Sequence, residues 1–260
     1  MTNHVNYNNI SPVYNERYKV SSLEGVEQKL LSIAENCQPQ KILEVGCGTC
    51  HWLNLLSKFS SELYGADYST GMLNIAKNSK TYLNLVNADA NKLPFHRNSF
   101  DLIICINAIH HFSNKKLFID NVSSLLKPNG ILSIMGFDPY DRENDWYLYD
   151  YFERTHQLDL ERFPTFNELE KWTSENGFGK IKTELIHIVK NNKTGRDVLQ
   201  DHFLDKRGAS QLALLSDEEY QSGLEKIKED ILKAEQLNEE IVFHVKLNFY
   251  ALTAQKCSKS

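Results

Sequence analysis

Lys41-Ile42-Leu43-Glu44-Val45-Gly46-Cys47-Gly48-Thr49 is the stretch on which the fold turns. A short apolar run ends in two glycines one residue apart, and helix-like apolar spacing follows from His51 to Lys58. This reads as strand, glycine turn, helix. Such a turn lets backbone N–H groups approach a ligand closely and presents the positive end of a helix dipole to it. A polar ligand is expected there. A dinucleotide fingerprint would need glycine at the sixth position, where this chain has His51, so NAD is disfavoured.

The pattern repeats outward. Glu62 to Ala66 is a second apolar stretch ending at Asp67, and Ser69 is placed to cap a helix through Met72, Leu73, Ile75 and Ala76. Leu83 to Asn87 reads as a weak third strand. Phe100 to Ile106 reads as a strong fourth, apolar enough to be buried on both faces. Leu117 to Leu126 then reads as a crossover helix, Pro128-Asn129-Gly130 as a turn, and Ile131 to Phe137 as a fifth strand. Alternation of this kind predicts a parallel sheet. Asp67, at the end of the second strand, is positioned to accept hydrogen bonds from vicinal ribose hydroxyls; taken alone it would read as an ordinary helix-capping carboxylate.

Beyond Asp138 the rhythm changes. Glu143 to Gln157 reads as a polar and aromatic helix, and its cluster Trp146, Tyr147, Tyr149, Tyr151 and Phe152 reads more readily as helix docking than as a substrate pocket. Thr165 with Glu168 forms a capping box for a helix ending near Gly177. Phe178 to Val189 and Ile241 to Ala254 are strand-like and suited to antiparallel pairing. Between them, Asn191 to Glu240 reads as a helical insertion, with Ser216 and Glu219 capping a long amphipathic helix to about Leu237.

Composition narrows the class. The chain has 260 residues, 41% hydrophobic and 24% charged, as expected of a folded globular protein, and its net charge of -5 disfavours a nucleic-acid partner. Met1 to Asn9 carries no export signal, and no apolar run is long enough to span a membrane. The odd set Cys37, Cys47, Cys50, Cys105 and Cys257 has no disulfide-framework spacing. A cytoplasmic location is expected. Cys47-Gly48-Thr49-Cys50-His51 also matches the haem-attachment and redox C-x-x-C patterns, but both readings leave Asp67 and Asp89 unexplained, and free thiols in a glycine turn account for it better.

Glu44-Val45-Gly46-Cys47-Gly48-Thr49, Tyr64-Gly65-Ala66-Asp67-Tyr68-Ser69, Asn87-Ala88-Asp89-Ala90 and Phe100-Asp101-Leu102-Ile103-Ile104-Cys105 occur in that order. Leu93-Pro94-Phe95 precedes the last of these, and Leu126-Lys127-Pro128-Asn129-Gly130-Ile131-Leu132 follows it. The set resembles class I S-adenosylmethionine-dependent methyltransferases, in particular the small-molecule branch with ubiquinone-biosynthesis-type and trans-aconitate-type enzymes. The resemblance spans roughly residues 41 to 137 and implies S-adenosylmethionine as cofactor. It implies that the Gly46 to Gly48 backbone, including Cys47, passes beside the methionine moiety and that Glu44 orients the loop from below. Asp67 would hold the ribose, Asp89 would accept from the adenine amino group, and the Ala90 N–H would complete adenine recognition. Tyr68 and Met72 would pack on the ring, and the Asn107 carbonyl would face the α-amino group. One departure is Cys50, where the family commonly has a third glycine.

The expected fold is α/β: a doubly wound, mostly parallel seven-stranded sheet with an antiparallel last strand. The whole chain, 1–260, is expected to be one domain, with an N-terminal lid (1–40), a cofactor-binding core (41–137), its continuation (138–190), a helical cap (191–240) and the last strand (241–254). The cap is expected to fold over the C-terminal edge of the sheet. The expected function is methyl transfer to an oxygen, nitrogen or carbon of a small molecule by in-line displacement, with no metal and no membrane partner. Candidates near the chemistry are His110, His111, Tyr14 with Arg17, and Tyr140, each with packing as the plainer role. An RNA or protein methyltransferase and a non-catalytic partner subunit are the rivals; after the fourth strand the chain reads Asn107-Ala108-Ile109-His110, with no Asn-Pro-Pro-Tyr-like motif. The acceptor, the need for a general base, the oligomeric state and the pathway are not legible.

Overall fold

The structure is a computed structural model that describes residues 5, 7–16, 18, 23–78 and 81–258. Its contacts separate the chain into two compact units, one formed by Leu23–Asp138, Pro164–His187 and Phe249–Ser260, the other by Met1–Ser22, Pro139–Phe163 and Ile188–Asn248.

The sheet's main strands are β1 (Lys41–Val45), β2 (Glu62–Asp67), β3 (Asn84–Asn87), β4 (Phe100–Ile106), β5 (Leu126–Phe137), β6 (Phe178–Lys190) and β7 (Val245–Lys256), all in the first unit except β6 from Ile188 and β7 as far as Asn248. The hydrogen-bonded order is β3-β2-β1-β4-β5-β7, with β6 also pairing β7 and the two-residue strand Asp145–Trp146 following β7, so the sheet has eight strands where seven were expected. Strands β1 to β5 are parallel neighbours, as in Leu43↔Tyr64 and Leu43↔Ile103, whereas β7 runs antiparallel to β5 with Phe249 opposite Phe137. The mostly parallel sheet and its antiparallel last strand are as the sequence predicts. Strand order reverses between β1 and β4, the crevice at which open α/β sheets place ligands.

The central strands are apolar on both faces because helices lie along both. Ile42, Leu43, Leu102, Ile103, Ile104 and Cys105 are all 0% exposed, and each fully buried large aliphatic side chain contributes about 1.5–3 kcal/mol. Asp101 fastens one end of the sheet: its carboxylate accepts from the Gln40 and Lys41 N–H groups at 3.2 and 2.9 Å and from Lys127 Nζ at 2.8 Å. The helices are α1 (Glu24–Cys37), α2 (His51–Leu56), α3 (Thr70–Ala76), α4 (Lys115–Leu125) and α5 (Phe166–Glu175). Ser69 caps α3 by accepting from the Met72 N–H, and Thr165 with Glu168 forms the complete capping box of α5. The predicted turn at Pro128 to Gly130 persists inside β5. Phe100 pairs Leu126 but Leu102 already pairs Ile131, so the residues between bulge out of the ladder.

The second unit departs more from expectation. The helix expected over Glu143 to Gln157 is broken. Asp145–Trp146 is instead extended and pairs antiparallel with Lys246 and Val245, and separate helices follow at Tyr147–Tyr151 and Arg154–Arg162. The strand expected from Ile241 is interrupted at His244, whose carbonyl accepts the Tyr147 N–H at 3.0 Å. Before the long helix Asp217–Leu237, with its Ser216 and Glu219 capping box, the insertion is mostly 3-10 turns. Trp146, Tyr147 and Phe152 are buried as docking residues, and a side chain at Gly223 of the long helix would collide with the Phe152 ring. The hydroxyls of Tyr147, Tyr149 and Tyr151 donate to Asp201, Asp159 and Asp230.

Among the described residues, no helix is long and apolar enough to cross a membrane, and no group of three His, Cys, Asp or Glu side chains stands ready to hold a metal. Truncating the centre of the sheet with Ile103→Ala is expected to cost about 2–5 kcal/mol in urea unfolding, since the surrounding strands close a cavity there only in part.

Candidate functional site

Parallel pairing brings the ends of β1, β2, β3 and β4 to one edge, with Val45 beside Ala66 and Ala66 beside Val86. The chain leaves β1 through Gly46 at φ +72°, a conformation open to glycine, and a Cβ there would strike the Cβ of Ala108. The N–H groups of Gly46 and Cys47 both reach the Ala66 carbonyl, at 2.8 and 3.2 Å. Gly48, also at positive φ, donates its N–H to Asp67 Oδ2 at 2.7 Å. The Asp67 carboxylate is completed by the Ser69 N–H on Oδ1 at 2.8 Å.

Asp67 therefore sits under two opposing influences. Burial raises its carboxyl from the ordinary value of 3.8, while the N–H groups of Ser69, Gly48 and Tyr68 hold it back. Next to it the Tyr68 ring is 82% exposed, and Met72 is buried at the start of α3. The end of β3 carries Asp89, an exposed carboxylate whose Oδ1 accepts the Asn91 N–H at 2.8 Å, followed by buried Ala90. Leaving β4, Asn107 adopts φ +50° and its N–H donates to the Met135 carbonyl at 2.8 Å. A 3-10 turn, Ile109–His111, follows; His110 is buried, and its ring lies 3.8 Å from that of His111.

Below the loop lies an unusual set of buried groups. Glu44 is 1% exposed and its Oε2 has no hydrogen-bond partner among the described residues. Burial, reinforced by Cys50 and Asp67, drives its carboxyl well above the ordinary value of 4.5, with the Leu53 N–H holding it back. Cys47 and Cys50 are free, buried thiols, and burial also pushes Cys47 upward. Both sulfurs crowd the face of Gly65, where a Cβ would lie 2.9 and 3.0 Å from them. They fill space as small apolar side chains. Cys50 begins α2 at φ +61°, a left-handed conformation in which the absent third glycine would be relaxed.

The edge thus unites Glu44, Gly46, Cys47, Gly48, Asp67, Tyr68, Met72, Asp89, Ala90, Asn107, His110 and His111 in one unit. Tyr14 and Tyr140 belong to the other. Tyr14 lies among the rings of Tyr7 and Tyr18, and Tyr140 donates its hydroxyl to the Leu160 carbonyl at 2.6 Å. Arg17 lies outside the described residues. Sequence reading missed the contribution of Ala108 beneath Gly46, which no local motif announces.

Residues 43–134 match a family model described as "Methyltransferase domain". This segment is similar to methyltransferase domains. The chain is 29% identical over 138 residues to demethylmenaquinone methyltransferase of Staphylococcus haemolyticus, covering 50% of this chain and 58% of the relative. It is 29% identical over 136 residues to the uncharacterized methyltransferase YcgJ of Bacillus subtilis, covering 50% and 53%. The chain spans little more than half the length of these relatives. In three dimensions the YcgJ crystal structure aligns with 89% of this chain and 99% of its own at a TM-score of 0.59 and 20% identity. A phosphoethanolamine N-methyltransferase of Haemonchus contortus, in complex with phosphomonomethylethanolamine and S-adenosylhomocysteine, aligns over 89% of this chain and 53% of its own, at a TM-score of 0.54 and 19% identity. These likenesses establish the class I methyltransferase fold.

Glu44 gives the domain a pH signature. Its folded value is raised above its unfolded one, so its contribution to stability is present below pH 4.5 and is lost as pH rises toward the folded value. Glu44→Gln removes that liability. The variant is expected to match the native chain in thermal melts near pH 4.5 and to exceed it by roughly 1–3 kcal/mol at alkaline pH.

Proposed function

We propose that the chain transfers a methyl group from S-adenosylmethionine to an oxygen, nitrogen or carbon nucleophile of a small-molecule metabolite. The observation that carries this reading is the half-buried Asp67 carboxylate, aligned by the Gly48 and Ser69 N–H groups at the exit of β2. A carboxylate offers about four lone-pair directions, so with the Gly48, Ser69 and Tyr68 N–H groups around it one remains for a ribose hydroxyl. The donor set beside it suits the rest of the cofactor. Asp89 Oδ2 carries no hydrogen bond among the described residues and is available to the adenine amino group, with the Ala90 N–H alongside. Tyr68, exposed, and Met72 flank the base, and the Gly46 to Gly48 backbone with the Asn107 carbonyl addresses the amino-acid end. Glu44 supports the loop from below.

When bound, S-adenosylmethionine supplies a methyl group on a sulfonium: the nucleophile's lone pair forms the new bond while the C–S pair returns to sulfur, leaving S-adenosylhomocysteine. The protein's own share is to align the two reactants and keep water out. An acceptor that arrives ionised, or as a free amine, needs no base; one that must lose a proton would turn to His110 or His111. The relatives named for demethylmenaquinone and crystallised with phosphomonomethylethanolamine support a small-molecule acceptor.

Calorimetric titration with S-adenosylmethionine and S-adenosylhomocysteine tests the cofactor half directly. Saturable binding is expected, weakened at least about tenfold in Asp67→Ala, with none to NAD. Because burial raises the Asp67 carboxyl above its ordinary value of 3.8, affinity should also fall on acidification, beginning at a pH above that value. A folded chain that takes up neither ligand overturns the proposal.

A further inference from the structure

The loop that leaves β3, Asn87-Ala88-Asp89-Ala90-Asn91, is tied down on both sides by asparagine side chains. On one side, Asn87 Nδ2 donates to the carbonyls of Asp67 and Tyr68 at 3.0 and 2.8 Å. The Ala88 N–H adds a third bond to the Asp67 carbonyl at 3.1 Å. On the other side, Asn91 Nδ2 donates to Ser113 Oγ at 2.7 Å, in the loop that follows His110 and His111, while the Asn91 N–H holds Asp89 Oδ1. Asn121, on α4, donates its side-chain amide to the Asn91 carbonyl at 2.8 Å and fixes the same corner from a third direction.

We infer that Asn87 and Asn91 are positioning residues with different duties: Asn87 sets the ribose-side carboxylate and ring, and Asn91 sets base specificity through Asp89. The inference rests on the cofactor reading above. Its logic is mechanical. Asp67 and Tyr68 form the turn between β2 and α3, and the Asn87 amide is bonded to both of their carbonyls, so releasing it frees the backbone that aims both side chains. Asp89 is exposed and, among the described residues, its carboxylate accepts one hydrogen bond, from the Asn91 N–H, so its direction depends on where Asn91 is anchored. Asn91 Oδ1, meanwhile, is buried with no partner among the described residues. An asparagine chosen for local stability alone would satisfy both ends of its amide. This one gives up an acceptor to keep the bond to Ser113.

A selectivity measurement separates these duties from a merely structural role. The full-length chain, Asn87→Ala, Asn91→Ala and Ser113→Ala are titrated with S-adenosylhomocysteine and with its hypoxanthine analogue, in which a carbonyl replaces the 6-amino group. The native chain is expected to prefer the adenine ligand, because a carboxylate accepts from an amino group and repels a carbonyl. Asn87→Ala should weaken both ligands by about the same factor, roughly fivefold for a hydrogen bond of ordinary worth, and leave the preference intact. Asn91→Ala and Ser113→Ala should instead shrink the preference by about that factor, and the double variant should lose no more than either alone. Thermal melts accompany each titration. Lower melting temperatures with both affinities and the preference unchanged would overturn the inference. Failure of the native chain to bind either ligand would instead bring down the cofactor reading itself.

Discussion

Much of the site follows from one close approach, that of Gly46 to Ala108. For the backbone leaving β1 to turn across the sheet edge, it must pass within contact of the chain leaving β4, and φ +72° with no Cβ is what permits it. That turn sends two N–H groups to the Ala66 carbonyl and the next available one, on Gly48, to the Asp67 side chain. Three strand exits are thereby locked together by groups that are mostly backbone. A cradle made of main-chain donors is rigid, and its geometry does not depend on side-chain rotamers. The same arrangement gives Asp67 its dual character, desolvated by its surroundings and re-solvated by amides.

The loop is supported by groups that cost stability. Glu44 is buried with an oxygen unpaired, and Cys50 is held left-handed where glycine would be easy. Strain and unsatisfied polarity of this kind concentrate at functional sites because the surrounding structure over-determines them. Here the surroundings are β1 and β4, whose central side chains are wholly buried and whose Asp101 clamp anchors their opposite end. The thiols of Cys47 and Cys50 belong to this packing. The absence of a side chain at Gly65 makes the room that they fill, which gives a spatial reason for the C-x-x-C spacing.

How much was legible depends on whether the signal was local. The strand at Lys41–Val45, the cap at Ser69 and both capping boxes lie where the residues announced them, because an apolar run ending in glycine and a hydroxyl three residues before a carboxylate are complete within one turn of chain. Asp67 was legible for a related reason, since it ends an apolar strand, whereas Asp89 and Asn107 entered only through the family resemblance. The helix expected from Glu143 was not. Asp145 and Trp146 have no intrinsic reason to be extended until Val245 and Lys246 lie alongside, a hundred residues later in the chain. His244 likewise breaks its strand only because its carbonyl is claimed by Tyr147. Asn87 and Asn91 read as ordinary loop residues, since their partners at Asp67, Tyr68 and Ser113 come from other strand exits.

By itself, then, the order of residues determined the periodicities: which stretches are doubly buried strands, where helices start, and which loop must carry glycine. Those depend on backbone conformation and on hydrophobic burial, both of which act over a few residues. Only the tertiary structure decided how strand exits meet, that Gly46 lies against Ala108, that Glu44 is buried with its Oε2 lacking a partner among the described residues, that Asn87 reaches the carbonyls of Asp67 and Tyr68, and that Tyr140 spends its hydroxyl on Leu160. These are hydrogen bonds and contacts between residues far apart in sequence, and their energies are set by distance and desolvation, which exist only once the chain has closed upon itself.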